Sequence, residues 1–118
     1  MGMVSVVVPI RNEALYLQLF LDSLCAQDLL GCDCEILLID GQSTDQTREI
    51  IKEYQALHSN IRLLDNPHKT VPYAMNIGIR ESKGDVIIRL DAHSTFPSDY
   101  ISVNIRLSVL FPVCLFSG

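Results

Sequence analysis

Apolar positions along this chain fall into two rhythms that take turns. The runs "VSVVVPI" (4–10), "EILLIDG" (35–41), "NIRLLDN" (60–66) and "DVIIRLD" (85–91) are short, rich in Val, Ile and Leu, and close on polar residues. Such runs fit strands buried on both faces. Between them, "RNEALYLQLFLDSLCAQD" (11–28), "STDQTREIIKEYQAL" (43–57) and "TVPYAMNIGIRESKG" (70–84) carry helical spacing. In the first, Leu15, Leu17, Leu19, Phe20, Leu21 and Leu24 form a broad apolar face, with Asn12 as cap and Glu13 in the first turn. In the second, Ser43 and Gln46 make a capping-box pattern. In the third, Pro72 sits in the first turn and Gly84 just past the end.

The resulting order, β-α-β-α-β-α-β with short connections, predicts an α/β fold. Its parallel sheet has helices on both faces, joined by right-handed crossovers. In such a sheet the residues that follow the strands line one edge, where open α/β sheets bind ligands. Here those residues are 9–13, Asp40 to Ser43, Asp65 to Lys69 and Asp91 to Ser94. A solvated edge accounts for polar residues in general, but not for successive strand ends carrying Glu13, Asp40, Asp65 and Asp91.

Composition narrows the chemistry. The 118 residues are 48% apolar and 19% charged, enough for one packed domain. A formal charge of -5 argues against nucleic acid as a partner. Cys25, Cys32, Cys34 and Cys114 lack zinc-ligand spacing and read as reduced thiols, Cys25 in the core. The start "MGMVSVVVPIRNEA" shows neither a secretory leader nor a myristoylation pattern, so a cytoplasmic setting is expected. The first strand is followed by Arg11-Asn12-Glu13, not by a glycine-rich dinucleotide turn, and neither a P-loop nor a hydrolase elbow occurs.

A carboxylate-lined edge suits a nucleoside diphosphate. Asp40 or Glu13 can accept from a base N–H or contact the ribose. Asp91 is a hard oxygen ligand and His93 a borderline one for Mg²⁺ or Mn²⁺. A cation there offsets diphosphate charge and stabilises the departing phosphate. The plain readings stand beside these. Asp40 and Asp91 can simply end strands, Glu13 can serve a helix start, and Asn76 can make a structural hydrogen bond. His93 can cap, or touch sugar without metal. His58 and His68 read as solvated loop residues, and Arg48-Glu49 and Lys52-Glu53 as a solvated helix face.

The ordered set V-P-x-R-N-E, D-G-x-S-x-D-x-T, A-x-N-x-G, K-G-D and strand-D-A, spread over 4–100, resembles the nucleotide-sugar-binding half of a family 2 glycosyltransferase of the Rossmann-like GT-A fold. "LDAHS" is similar to the corresponding segment of exopolysaccharide transferases of the succinoglycan type. The resemblance implies an inverting transfer of sugar from a nucleoside diphosphate, UDP favoured, to an acceptor glycan or lipid-linked sugar, at or near the cytoplasmic face of a membrane. It implies that Pro9, Arg11, Asn12 and Glu13 surround the nucleoside and that Asp40 accepts from the base. Ser43 and Asp45 would shape the next loop, Lys69 approach the diphosphate, and Asn76 and Gly78 pack a helix beneath the donor. Asp91 and His93 would occupy the family's D-x-D position and hold the metal; His93 departs from the commoner Asp.

The family's catalytic base lies beyond that strand. Residues 101–118, ending "NIRLSVLFPVCLFSG", do not resemble its continuation. They read as an apolar tail too short to span a membrane: a strand edge, a surface for homodimerisation, or the scar of a truncated or altered frame. Two rival readings are a non-catalytic nucleotide-binding fragment and a receiver-type signalling domain. The latter needs paired acids after its first strand and a Lys after its fifth, and neither is visible.

Overall fold

A computed structural model describes residues 3–27, 33–92 and 115–116. The predicted alternation is present: β1 (Met3–Ile10), α1 (Ala14–Cys25), β2 (Asp33–Asp40), α2 (Thr47–Leu57), β3 (Ile61–Asp65), α3 (Val71–Glu81) and β4 (Val86–Arg89). A two-residue strand, β5 (Leu115–Phe116), pairs with β4. All pairings are parallel and the order is β3-β2-β1-β4-β5, so the direction of strand addition reverses between β1 and β4. The homodimer surface expected of residues 101–118 falls outside the described residues, apart from the β5 backbone.

Period-two alternation sends successive side chains to opposite faces of the sheet. Val4, Val6, Val8 and Ile10 of β1, with Ile36 and Leu38 of β2, join Leu17, Phe20, Leu21 and Leu24 of α1 and Ile51 of α2. Val7, Leu37 and Ile39 face the other way, against Ala74 of α3. α1 and α2 thus cover one face and α3 the other. The two faces explain the continuous apolar runs, since both parities of β1 and β2 are buried.

Helix α1 differs from expectation. Leu15 and Leu19 are 84% and 61% exposed. Each lies two residues from Leu17, about 200° around the helix, so neither reaches the stripe that packs on the sheet. Cys25, expected in the core, is also exposed on this helix. Tyr54 of α2 joins the two helices by donating to Asp22 Oδ1 at 2.6 Å. That bond to a carboxylate pushes the phenol up to about 12.

Gly78 sets how closely α3 approaches the sheet. A Cβ there would collide with Val7 Cγ1 and come within 3.0 Å of Ile39 Cδ1. At the far edge of the sheet, Gly84 passes so close to β1 that a Cβ would lie 2.6 Å from Ser5 Oγ. Buried Glu35 organises that edge. It accepts from Ser5 Oγ at 2.6 Å, the Lys83 amide at 2.7 Å and Arg62 Nη1 at 3.4 Å. Burial raises the Glu35 carboxyl, but these donors together outweigh it and hold the group below its ordinary value. No helix among the described residues is long and apolar enough to cross a membrane.

Two outcomes follow from these contacts. Gly78→Ala is expected to destabilise by about 1–3 kcal/mol through overpacking, read by urea denaturation. Truncating Val7 to Ala in the same chain should recover part of the loss; no recovery would show that the collision is not the cause. Because the folded-state pKa of Glu35 is depressed, its stabilisation is present above the ordinary glutamate value of 4.5 and is lost as pH falls through the lower folded-state value. The difference in melting temperature between the parent chain and Glu35→Gln should therefore be full at pH 7 and shrink on acidification below 4.5.

Candidate functional site

Three of the four strand ends lead into loops that contain a residue in left-handed conformation: Asn12 (φ 54°), Gln42 (φ 60°) and Lys69 (φ 65°). Only Asn among them is a residue type that favours this region. Long-range hydrogen bonds hold these turns. The Asn12 amide donates to Ser43 Oγ at 2.8 Å, and the Thr44 amide donates back to Asn12 Oδ1 at 2.7 Å. The Glu13 amide reaches Thr47 Oγ1 at 2.9 Å and the Ala14 amide Asp45 Oδ2 at 3.2 Å. Amides at the start of α1, which have no partner within the helix, are thus satisfied by the loop before α2 and by Thr47, its first residue.

These bonds correct two expectations. Asn12 does not cap α1; Glu13 occupies the cap position, and the Asn12 side chain serves the neighbouring loop instead. Ser43 and Gln46 form no capping box, because α2 begins at Thr47, whose amide donates to Asp45 Oδ1 at 3.0 Å. The Asp45 carboxyl is raised by burial, but Thr47 and the Ala14 amide outweigh this and lower it.

Asp40 lies on the α2 face of the sheet, in the parity of Ile36 and Leu38, and its side chain is 0% exposed. Its carboxylate accepts from the Ser43 amide at 3.1 Å, from Ser43 Oγ and from Arg48 Nε at 2.6 Å. Arg48 Nη2 continues to Asp65 Oδ1 at 2.5 Å. Asp40 and Asp65 are register partners across β2 and β3, which places both within reach of one guanidinium. The expected solvated face at Arg48 is therefore replaced by a two-carboxylate ion pair. The expected base acceptor, Asp40, has its carboxylate turned away from solvent.

The cleft itself opens at the β1/β4 reversal and encloses about 340 Å³. Pro9, Arg11 and Glu13 line it from the β1 loop, Asn66, Lys69 and Thr70 from the β3 loop, and Asp91 from the end of β4. Asp91 is held beside β1, since the Leu90 amide donates to Val7 O at 3.2 Å, and Arg89 Nη2 donates to Asp91 Oδ1 at 3.3 Å. Of the predicted residues, Pro9, Arg11, Glu13, Lys69 and Asp91 converge here, whereas Asn12, Asp40, Ser43 and Asp45 brace the loops outside it. Asn76 is exposed on α3, two residues from cleft-lining Ala74 and so on the other side of the helix.

Asn66, within the predicted 65–69 edge but not among the predicted site residues, also lines the cleft. It is 1% exposed, donates from Nδ2 to Thr70 O at 2.9 Å and accepts the His68 amide at 3.2 Å. Its side chain therefore builds the turn that presents Lys69. His68 remains exposed and stacks on Tyr73 at 3.9 Å, whereas His58, expected to be solvated, is half-buried beside Tyr54. Among the described residues no group of three or more His, Cys, Asp or Glu side chains converges on a cation position. Asp91 offers one hard oxygen ligand facing the cleft, which fits a cation that takes its remaining ligands from a diphosphate and water. His93 lies outside the described residues.

Comparison with known proteins agrees with this architecture. The chain is 36% identical over 108 residues to a dolichyl N-acetyl-alpha-D-glucosaminyl phosphate 3-beta-D-2,3-diacetamido-2,3-dideoxy-beta-D-glucuronosyltransferase of Methanococcus voltae, covering 90% of this chain and 34% of that protein. It is 34% identical over 97 residues to the succinoglycan biosynthesis protein ExoA of Rhizobium meliloti, covering 80% and 29%. It thus spans about a third of the length of these curated relatives. Among solved structures, TarS of Staphylococcus aureus in complex with UDP superposes with a TM-score of 0.77 at 22% identity, over 92% of this chain and 32% of that one, a likeness of fold. The mannosyltransferase PcManGT of Pyrobaculum calidifontis, in complex with GDP-Man and Mn²⁺, gives 0.75 at 26% identity, over 81% and 29%. The model of glycosyl transferase family 2 matches residues 5–107, and the chain belongs to that family.

Proposed function

We propose that this chain supplies the donor-binding part of a metal-dependent glycosyltransferase that moves a sugar from a nucleoside diphosphate to an acceptor hydroxyl. The observation that carries this is the position of Asp91 in a cleft at the strand-order reversal, with Arg11 and Lys69 on its walls. A nucleoside diphosphate places its phosphates between those cations. Asp91 would hold Mn²⁺ or Mg²⁺, which when bound supplies Lewis-acid stabilisation of the departing diphosphate. Glu13 lines the cleft from the β1 loop and would take the acceptor role in place of Asp40, whose side chain is fully buried.

In the transfer, the acceptor oxygen bonds to the anomeric carbon as the bond to the diphosphate oxygen breaks. The electron pair leaves with the diphosphate and the hydroxyl proton passes to a general base. We place that base, and the acceptor site, in the portion of the relatives' length that this chain does not span. A glycan or lipid-linked sugar is the acceptor class favoured by relatives named for succinoglycan and for a dolichyl phosphate sugar. A UDP-sugar is the favoured donor, supported by the UDP complex of TarS, with GDP as the competitor named in the PcManGT complex.

Calorimetric titration of UDP and of GDP into the chain, with and without Mn²⁺, tests this. Saturable binding that strengthens with Mn²⁺ is expected, UDP ahead of GDP. Asp91→Ala should remove the metal-dependent gain, a loss of about tenfold or 1.4 kcal/mol, while leaving the melting temperature within a few degrees. Equal affinity for Asp91→Ala in the presence of Mn²⁺ would overturn the metal role. A folded chain that binds neither nucleotide would overturn the donor-binding reading.

A further inference from the structure

We infer that Arg48 is a positioning residue for the cleft, acting through Asp40 and Asp65 on two of the loops that shape it and not on any ligand. This rests on the donor-binding reading for its consequence, but the arrangement is visible without it. Arg48 does not line the cleft, and its guanidinium reaches Asp40 through Nε and Asp65 through Nη2. Each contact fixes the end of a strand where a loop begins: the β3 loop, which lines the cleft, and the β2 loop, which braces it.

On the β2 side, Asp40 carries that constraint into the 41–43 turn through both its oxygens. Gly41 of this turn fits between the other two loops. A Cβ on it would lie 3.3 Å from Lys69 Cα and 3.5 Å from Arg11 Cβ, and its amide donates to Ile10 O at 2.8 Å. On the β3 side, Asp65 precedes Asn66, whose amide donates to Asp40 O at 2.8 Å and whose carbonyl accepts the Lys69 amide at 3.2 Å. The backbone at Lys69 and the base of the Arg11 side chain, which approach Gly41 from the other two loops, are therefore set by a side chain on the other side of the sheet from α3. Lysine would not replace arginine here, because a single ammonium on a flexible stem lacks the planar fork that serves two separate carboxylates.

Residue-resolved amide hydrogen exchange on the ligand-free chain separates positioning from general stabilisation. It is to be recorded well below the melting temperature for the parent, Arg48→Gln, Arg48→Lys and Asp65→Asn. Exchange at the Asn66 and Lys69 amides should accelerate about tenfold in both Arg48 variants and less in Asp65→Asn, as a local opening does. The Lys83 and Gly84 amides, bonded to Glu35 and Ser5 at the opposite edge, should be unchanged. Equal acceleration at both edges, or none at either, would overturn the inference; exposed Asp65 gives a variant that folds should Arg48→Gln not.

The same proteins titrated with UDP show the consequence. Affinity should fall about tenfold in Arg48→Gln, and adding Asp65→Asn to that variant should cost nothing more. Unchanged UDP affinity in Arg48→Gln would overturn the inference. If the parent chain does not bind UDP, the donor-binding reading fails, and the exchange data alone decide the role of Arg48.

Discussion

Parallel pairing of β1 with β2 on one side and β4 on the other is the constraint on which everything else depends. It puts the carboxyl ends of the described strands β1 to β4 on one edge. It also leaves a gap between the β1 and β4 ends, because the chain reaches β2 and β4 in opposite directions from β1. The cleft occupies that gap. Close packing of α3 against Val7 and Ile39, which the absence of a side chain at Gly78 permits, keeps the β3 loop over the gap. Backbone pairing and helix packing thus create the cavity before any ligand-binding side chain is considered.

The two edges of the sheet handle buried charge in the same way for different ends. At the far edge, Glu35 is satisfied by a hydroxyl, an amide and a guanidinium, and it ties β1, β2 and the segment after α3. At the site edge, Asp40 is satisfied by an amide, a hydroxyl and a guanidinium. A buried carboxylate is costly unless hydrogen-bonded and paired, so each forces its donors into one geometry. At the far edge the result is a fixed crossover; at the site edge it is a set of fixed loops.

This divides the family motif by physical role. Asn12, Ser43, Asp45 and Thr47 hold loop to loop, whereas Arg11, Glu13 and Asp91 face the cleft, joined there by Lys69 from outside the motif. Two of the three left-handed residues, Gln42 and Lys69, are side chains that do not favour that conformation. Their strain persists because the surrounding hydrogen bonds determine the turns.

The order of elements, the parallel sheet and the edge that carries the site were all readable in the chain. Strand and helix periodicities are local, and alternation of the two leaves little choice of architecture. The edge ranges that contain Pro9, Arg11, Glu13, Lys69 and Asp91 were legible for the same reason, since each closely follows or ends a strand, and the family resemblance implied the roles of these residues. What the sequence could not decide was which strand-end carboxylate meets solvent. Asp40 and Asp91 look alike in sequence, yet only tertiary structure brings Arg48 and Asp65 to Asp40. Side-chain parity sends Asp40 to the face covered by α2, while Asp91 follows Arg89 on the opposite parity and opens to the cleft. The same holds for α1, where leucines of equal hydropathy divide into buried Leu17 and exposed Leu15 and Leu19. Local pattern sets what an element is; burial of a given side chain depends on which partner the packed sheet places against it.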